Sequence, residues 1–381
     1  MLRSPYNGLN MDLNKVKPNI VFKHKTPFLF CDLDIIRENY RRIKKFIPSA
    51  DIFYAVKAND NERIIKTLIS ENSSFEIASE GELLQLKKLK VPPERIACFN
   101  PIKSVSFIKS LHKYGVKLIA FDSSQEMIKI AENAPNSELV LRLQVDNQGS
   151  DWPLTKKFGV QATEAADLLK YGKQKNLSIV GLTFHVGSQC LNKENWANAL
   201  YICEELFREA QKIGFNLSVI SLGGGIPIKH IKSIPSVKEI GEIINPILEN
   251  NLFSLNDNLR ITVEPGRGLV GDAAIMVASV IGLAKRGNEN WVYLDVGVFN
   301  GLMETIENFM YELKTLGKGK KQLTTIAGPS CDSVDVMFKD ILFPEVSIGD
   351  KIYIMNTGAY TTVYASRFNA FEIPKIYFKR S

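Results

Sequence analysis

A lysine follows directly on a run of apolar residues near the start of the sequence. In "DIFYAVKAND" (51–60) the apolar run leads into Lys57, and Asn59 and Asp60 then provide a turn. Burial disfavours the charged form of an amine, and an uncharged lysine is a nucleophile that forms a Schiff base with an aldehyde. The spacing therefore predicts a buried strand that ends on a buried, reactive amine, Lys57.

A run of three glycines is suited to binding an anion. In "SLGGGIP" (221–227) no side chains shield the backbone N–H groups, so a phosphate can approach them closely. A tight turn without any ligand is the alternative interpretation, and the motif alone does not decide between the two. The glycines concerned are Gly223, Gly224 and Gly225.

Two shorter motifs add the remaining polar groups. "FHVGSQ" brings His185 and Ser188 into one turn, and "EPGRG" fixes Glu264 and Arg267 on a constrained loop. An amine for an aldehyde, a loop for a phosphate and a carboxylate that holds a pyridine nitrogen protonated all suit one cofactor, pyridoxal 5′-phosphate (PLP). We therefore expect these motifs to form a PLP site, and we assign no residue to a metal.

The motifs fall within a regular alternation of strands and helices. From about residue 50 to 265, eight short apolar runs alternate with seven segments of helical period. Strands that are apolar on both faces form a parallel sheet, and eight of them predict a closed (β/α)8 barrel. An open doubly wound sheet fits the alternation almost as well, but the count favours the barrel. Barrel enzymes carry their chemistry at the carboxyl ends of the strands, where these polar residues fall.

The alternation stops near residue 270. Beyond it, apolar runs such as "WVYLDVGVF" and "KIYIMNTG" are separated by glycine, proline, asparagine and charged residues, which predicts a mostly antiparallel β domain. We therefore expect an N-terminal segment (1–30) that joins the β domain, a PLP-binding barrel (31–268) and a C-terminal β domain (269–381).

The composition indicates a cytoplasmic protein with no membrane or nucleic-acid partner. The 381 residues are 45% hydrophobic and 23% charged, and no stretch approaches the roughly 20 apolar residues that cross a membrane. The net charge of +7 is dispersed, and basic runs such as "RRIKK" lack the interleaved aromatic residues of a nucleic-acid patch. Five cysteines without paired spacing are typical of reduced thiols.

Six motifs, taken in order, resemble the signature segments of the fold-type III PLP-dependent decarboxylases. This family includes ornithine, lysine, arginine and diaminopimelate decarboxylases. The resemblance extends from about residue 27 to the C-terminus, and "YLDVGVFNGLMET" further resembles the short bacterial ornithine/lysine decarboxylases. It implies an alanine-racemase-like barrel with a C-terminal β domain. The motifs are "YAVKAN" (54–59), "FHVGSQ" (184–189), "GGG" (223–225), "EPGRG" (264–268), "GPSCDSVD" (328–335) and "GAYT" (358–361).

The resemblance implies a role for each residue that would bind the cofactor. Lys57 would form the Schiff base with PLP, Glu264 would pair with the pyridine nitrogen, and His185 would stack on the ring. The phosphate would be held by Ser188, Gly223, Gly224, Gly225, Arg267 and Tyr360. Further positions near the cofactor are Glu76, Arg142 and the supporting carboxylate Glu82.

The resemblance also implies a homodimer whose active sites are shared between two chains. In that arrangement "CDS" (331–333) reaches the active site of the other chain. Cys331 would protonate the substrate Cα after CO2 has left, and Asp332 would bind the distal ammonium group of the substrate. Phe368, eight residues after Tyr360, matches an aromatic residue that lines the active site.

The residues expected around the substrate favour a diamine-forming enzyme. Diaminopimelate decarboxylases typically have a glutamate after the cysteine, whereas Asp332 stands here. Ornithine decarboxylases bind the distal amine with a second acid, and at that point this chain has Glu307 followed by Asn308 instead of two adjacent acids. We expect L-ornithine as the main substrate, giving putrescine, with L-lysine, giving cadaverine, as the second.

Other functions of the same fold remain open. The chain would be a diaminopimelate decarboxylase, or a decarboxylase of another amino-acid derivative, if the substrate residues act differently. A regulatory homologue without activity would be expected to have lost residues such as Lys57 and Cys331, which are present. A racemase would usually have an arginine where Glu264 stands.

Overall fold

The computed structural model of the chain describes residues 24–153, 157–317 and 319–379. The chain divides into two compact units, which we call the barrel unit and the sheet unit. The barrel unit comprises Arg37–Pro227 and Ile234–Gly268, and the sheet unit comprises the described parts of Met1–Ile36, Ile228–Ser233 and Leu269–Ser381. The domain limits of 1–30, 31–268 and 269–381 stay predictions.

The described part of the chain contains 18 strands, most of them short. In chain order they are β1 (Phe28–Cys31), β2 (Ala50–Ala55), β3 (Ser74–Glu76), β4 (Ile96–Ala97), β5 (Leu118–Phe121), β6 (Glu138–Arg142), β7 (Ser150–Trp152), β8 (Ile179–Thr183), β9 (Ser188–Cys190), β10 (Val219–Ser221), β11 (Arg260–Val263), β12 (Ala274–Arg286), β13 (Glu289–Leu294), β14 (Leu313–Thr315), β15 (Lys321–Ala327), β16 (Val336–Pro344), β17 (Lys351–Ile354) and β18 (Lys375–Phe378).

The α-helices alternate with the strands of the barrel unit. They are α1 (Leu33–Phe46), α2 (Glu62–Ser70), α3 (Glu80–Lys88), α4 (Val105–Tyr114), α5 (Ser124–Asn133), α6 (Ala162–Gln174), α7 (Glu194–Ile213), α8 (Val237–Ile247) and the short α9 (Arg267–Val270). Helices α2 to α8 are the seven predicted from helical period, and α1 precedes them. No helix in the described part of the chain is both long and apolar enough to cross a membrane.

Capping residues fix where the helices begin and end. At the start of α4 the side chain of Ser104 accepts a hydrogen bond from Phe107 N, and at its end Gly115 adopts a left-handed conformation with φ of 96°. At the start of α8, Ser236 and Glu239 form a reciprocal capping box. Such caps satisfy backbone N–H groups that have no partner inside the helix.

Eight parallel strands form the barrel in the order β4-β3-β2-β11-β10-β8-β6-β5. The two ends of this sheet meet at Cys98, just after β4, which donates to Leu118 O at 3.0 Å and accepts from Ala120 N at 2.8 Å. The strands are the eight runs predicted from the sequence. The closure confirms the (β/α)8 barrel and excludes the open sheet.

The barrel interior holds an apolar cluster. It consists of Phe53, Ala97, Phe99, Leu118, Ala120, Val140 and Val219. These residues come from strands on different sides of the barrel, so they fill it as a packed core, and burial of each larger side chain contributes about 1.5–3 kcal/mol. Because successive residues of a strand face opposite sides, Arg142 shares the interior face of Val140 and lies nearer the carboxyl ends.

The sheet unit is built around the long strand β12. This strand pairs antiparallel with β1, β13 and β17, while β14 pairs antiparallel with β17 and β15 with β16. Only β1 with β18 and β13 with β15 pair in parallel within the described part of this unit. The predicted mostly antiparallel β domain is therefore confirmed, and the "TPFLF" run contributes β1 to it.

Candidate active site

Lys57 lies just beyond the carboxyl end of β2. The strand ends at Ala55, whose N–H donates to Pro265 O at 3.2 Å, and Lys57 occupies the middle of a 3-10 turn, Val56–Ala58. Lys57 Nζ donates to Glu76 Oε2 at 2.9 Å. Glu76 is the last residue of β3 and pairs in register with Ala55, so the strand pairing brings the two side chains together.

The prediction that Lys57 is buried is wrong. Its side chain is 44% exposed, whereas that of Glu76 is 2% exposed. The reason is the 3-10 turn, which buries Val56 and Ala58 and carries Lys57 past the end of the strand to the mouth of the barrel. The amine is therefore oriented by an ion pair with a buried carboxylate rather than by an apolar surrounding.

A polar layer crosses four adjacent strands of the barrel. Arg142 in β6 is in register with Thr183 in β8, Thr183 with Ser221 in β10, and Ser221 with Thr262 in β11. Residues in register in a parallel sheet point to the same face, so the four side chains form one level of the interior. Sequence reasoning missed Thr183 and Ser221, because hydroxyl residues in strands carry no signal until the register is known.

Glu264 stands immediately above this layer. One of its oxygens, Oε1, accepts hydrogen bonds from Ser221 Oγ and, at 3.4 Å, from Thr183 Oγ1. Burial, and then the charge of Glu76, raise the pKa of Glu264 to about 7, although the Ser221 hydrogen bond and the nearby cations oppose this shift. Its other oxygen, Oε2, receives no hydrogen bond from any residue that the structure describes.

Arg142 and His185 complete the ring of groups around this carboxylate. Burial lowers the pKa of Arg142, and the charges of Glu264 and Glu76 oppose that effect. Burial, followed by the charges of Arg142 and Lys57, holds the pKa of His185 well below its usual value. His185 Nδ1 accepts from Gly187 N at 3.0 Å, so the ring is a neutral imidazole in a fixed orientation.

The glycine run packs directly against these groups. Gly223 and Gly225 have φ of 63° and 102°, which side chains disfavour. At Gly224 a Cβ would lie 2.9 Å from His185 Nε2 and 2.8 Å from Glu264 O, so a side chain has no room there. The run is thus held as bare backbone beside the imidazole, as a phosphate loop requires.

Ser188 and Arg267 both lie next to Trp152. Ser188 pairs with Trp152 in the small antiparallel sheet of β7 and β9, and the guanidinium of Arg267 lies 4.8 Å from the Trp152 ring. The predicted single turn from His185 to Ser188 is therefore wrong in detail, since Ser188 already begins β9. Arg267 begins α9 and is 4% exposed.

Glu82 supports the entrance to the site from α3. Its Oε2 accepts from Ala78 N at 2.6 Å, just after β3. Burial raises the pKa of Glu82 to about 7, with the neighbouring charge of Glu76 adding to the shift and Lys57 opposing it. Two carboxyl groups of raised pKa, Glu82 and Glu264, thus lie near the ion pair of Lys57 and Glu76.

The remaining predicted site residues belong to the sheet unit. Cys331 contacts Asn369, and Phe368 packs against Phe299 with ring centroids 4.8 Å apart. Asp332 Oδ1 accepts from Val334 N at 2.9 Å. Glu307 and Asn308 are exposed and lie at the end of a 3-10 turn, Met303–Glu307. The ring of Tyr360 lies 5.7 Å from that of Tyr364.

Two observations test whether the barrel residues suit PLP. The first is the buried carboxylate of Glu264, whose Oε2 accepts from no described residue and is therefore suited to a ring N–H. The second is Gly224, where a side chain has no room, so that the backbone stays bare beside His185. Lys57 offers an amine at the same mouth, and Arg267 a buried cation for a phosphate. The residues therefore fit the cofactor.

Comparisons with known proteins give one consistent result. The family model described as "Pyridoxal-dependent decarboxylase, pyridoxal binding domain" matches residues 33–271. The lysine/ornithine decarboxylase of Selenomonas ruminantium is 37% identical over 93% of this chain and 90% of its own length. The ornithine decarboxylase of Mus pahari is 32% identical over 98% and 84%. The crystal structure of SrLDC in complex with PLP and cadaverine superposes with a TM-score of 0.88 at 35% identity, covering 97% of this chain and 94% of that one.

Proposed function

Because this chain belongs to the family of pyridoxal-dependent decarboxylases, we propose that it removes the α-carboxylate of L-ornithine to give putrescine, and of L-lysine to give cadaverine. It is a PLP-dependent enzyme, a carboxy-lyase. The relatives at 37% and 32% identity are named for ornithine or for both amino acids, which supports this choice of substrates.

The observation that carries the proposal is the state of Glu264. A carboxylate in a buried position is costly unless it meets a positive or hydrogen-bonding partner. Ser221 and Thr183 supply donors to Oε1 only, and the pKa is raised to about 7. A protonated pyridine nitrogen at Oε2 would complete the set of partners and keep the carboxylate charged.

Each barrel residue then has a defined task. PLP, when bound, supplies an aldehyde that condenses with amines and a ring that accepts the electron pair left by CO2. Lys57 would hold it through its amine, which Glu76 Oε2 orients at 2.9 Å. Glu264 would hold a proton at the ring nitrogen, and the neutral imidazole of His185 would offer a flat face for stacking without a competing charge.

The phosphate of the cofactor would be bound by backbone and cationic groups. We assign it to the N–H groups of Gly223, Gly224 and Gly225 and to the side chains of Ser188, Arg267 and Tyr360. Trp152 supports this assignment in the barrel unit, because it contacts both the strand of Ser188 and the guanidinium of Arg267. Arg142 adds a half-buried positive charge near Glu264 and Glu76.

The substrate and its proton would be handled by residues of the sheet unit. We propose that Cys331 delivers a proton to the substrate Cα and that Asp332 pairs with the distal ammonium, with Phe368 lining the site. The protein would act as a homodimer in which these residues serve the active site of the other chain. Glu307 would assist at the distal amine, where Asn308 replaces an acid.

Substrate profiling of the purified protein tests the proposal. CO2 release and product analysis are measured with L-ornithine, L-lysine, L-arginine and meso-diaminopimelate. We expect putrescine from ornithine as the faster product and cadaverine from lysine as the slower one. Activity on meso-diaminopimelate alone would overturn the choice of substrate, and borohydride reduction that left no pyridoxyl group on Lys57 would overturn the chemistry.

The cytoplasmic location stays a prediction. All five cysteines lie in the described residues, and none of them is in a disulfide there. Four are buried, and Cys331 alone among them is exposed. This pattern supports a reducing compartment.

A further inference from the structure

A closed circuit of contacts holds the loop that carries Cys331. The buried side chain of Asp335 forms the first half of the circuit. Its Oδ2 accepts from Ser330 N at 2.9 Å, next to the cysteine, and its Oδ1 accepts from Val298 N at 2.7 Å. One carboxylate thus ties the cysteine loop to the segment that contains Phe299.

The second half of the circuit returns from Phe299 to the cysteine. Ser366 N donates to Phe299 O at 2.8 Å, and the ring of Phe299 packs against that of Phe368. The next residue, Asn369, presents its Oδ1 to Cys331, accepting from the backbone N at 3.3 Å and from Sγ at 3.5 Å. The circuit therefore closes on the thiol itself.

The backbone of Asn369 is unusual as well. Its φ is 52°, and that of Ala370 is 62°, both in the left-handed region. Asparagine tolerates this region better than most residues, so the turn projects an amide without the strain that a bulkier or branched residue would suffer. An exposed cysteine can occupy three staggered χ1 rotamers, and an acceptor fixed by the backbone favours one of them.

We propose that Asn369 is the positioning residue for Cys331, orienting the thiol for proton delivery. The amide oxygen fixes the backbone of the cysteine and accepts its S–H, and these two contacts hold the sulfur in one orientation for delivery of its proton to the substrate carbon. The thiol would then be left as a thiolate, which water reprotonates. This inference rests on the proposed role of Cys331, whereas the contact between Asn369 Oδ1 and Cys331 is independent of that role.

Alkylation of the resting holoprotein tests the contact. Iodoacetamide reacts with thiolates, and Cys331 is the exposed cysteine of the five. In Asn369→Gly, which removes the amide but suits the positive φ, we expect alkylation of Cys331 to become about fivefold faster, as loss of one hydrogen bond implies. In Asn369→Asp, the added negative charge opposes the thiolate, so we expect slower alkylation. Equal rates in all three proteins would overturn the proposal.

Product stoichiometry tests the positioning. With ornithine, the ratio of CO2 released to putrescine formed should be one in the unchanged protein and should rise in Asn369→Gly, because a misplaced proton diverts the decarboxylated substrate from the diamine. If alkylation changes while the ratio stays at one, the inference fails. Cys331→Ala then shows which proposal is wrong. If the ratio of CO2 to putrescine rises in that variant, Cys331 remains the proposed proton donor and only the role of Asn369 is refuted; if the ratio stays at one, the role of Cys331 is refuted as well.

Asn176→Gly is the matched control. Asn176 is also an asparagine of positive φ, 54°, but it is exposed at the end of α6 in the barrel unit. The substitution changes the backbone in the same way without touching the cysteine loop. We expect its alkylation rate and its product ratio to equal those of the unchanged protein.

Discussion

Glu264 shows how a single buried carboxyl group couples the site to the stability of the protein. Its pKa is raised to about 7 from the usual 4.5, chiefly by burial. A carboxyl group whose pKa rises on folding binds its proton more tightly in the folded state than in the unfolded state. The folded state is therefore favoured at low pH, and this contribution is lost as the pH rises from about 4.5 to about 7.

This linkage predicts how the apoprotein responds to pH. Between pH 5 and pH 8 we expect the free energy of unfolding to fall less in Glu264→Gln than in the unchanged protein, by about 1 to 3 kcal/mol. Glutamine keeps the shape and a hydrogen-bonding oxygen but does not titrate. The measurement is urea unfolding of the apoprotein at a series of pH values.

Glu82 and Glu242 bracket that experiment. Glu82, whose pKa is also raised to about 7, should give a similar flattening when changed to glutamine. Glu242→Gln, at a side chain that is 59% exposed on the surface of α8, is the control for the loss of one surface carboxylate. If the free energy of unfolding of Glu264→Gln depended on pH as it does in the unchanged protein, the charge of Glu264 would already be balanced by its neighbours in the folded apoprotein.

The residues that matter most to Glu264 were beyond sequence reasoning. Glu264 itself was predicted from its place in "EPGRG", but its donors Ser221 and Thr183 were not. Their relation depends on β8, β10 and β11 lying side by side in a particular register. The same holds for Asn369, which lies 38 residues from Cys331 along the chain.

At the scale of elements, the turn after β10 sets how closely backbone approaches the imidazole. We expect Gly224→Ala to weaken PLP binding by about 10- to 100-fold, because the new Cβ would meet His185 Nε2 at 2.9 Å and Glu264 O at 2.8 Å. Gly224 does not have a positive φ, so the variant tests space rather than strain. The measurement is the dissociation constant of PLP, from absorbance titration of the apoprotein.

Gly81→Ala serves as the control for that experiment. Gly81 lies in α3, and a Cβ there would contact only Ser79 Oγ, at 3.8 Å. Alanine favours a helix over glycine by about 1 kcal/mol, so this variant should be at least as stable and bind PLP equally well. If Gly224→Ala bound PLP as tightly as the unchanged protein, the cofactor would not contact this turn.

Strands that lie in apolar runs were predicted even where they are only two or three residues long, whereas short strands of mixed composition were not. The apolar run of β2 was recognised, although the strand stops at Ala55 and leaves Lys57 on a turn. Strands β7 ("SDW") and β9 ("SQC") contain no apolar run, so Ser188 was placed in a turn. The exposure of Lys57 follows from this difference of two residues.

At the scale of the whole molecule, the count of apolar runs was sufficient to predict the architecture. Eight runs between helices predicted a barrel, and the pairing of Cys98 with Ile119 closes it. The change of pattern near residue 270 predicted the mostly antiparallel sheet. What the sequence pattern leaves open is assembly, because a shared active site depends on two chains.

Mixed dimers test that assembly directly. We expect Lys57→Ala and Cys331→Ala to produce little putrescine alone, since each removes one partner from every site. When equal amounts are dissociated and reassociated together, half of the dimers contain both variants, and each of these has one intact site. Putrescine production should therefore recover to about a quarter of that of the unchanged protein.

The double variant Lys57→Ala/Cys331→Ala supplies the converse experiment. Mixed in equal amounts with the unchanged protein, it should leave about a quarter of the full activity, because a mixed dimer with shared sites has no intact one. Sites contained within single chains would instead leave about half, and the first mixture would then recover nothing. Shared sites therefore predict about a quarter of the full activity in both mixtures, whereas sites within single chains predict none in the first mixture and about half in the second. A variant that failed to fold would not produce the result expected for shared sites.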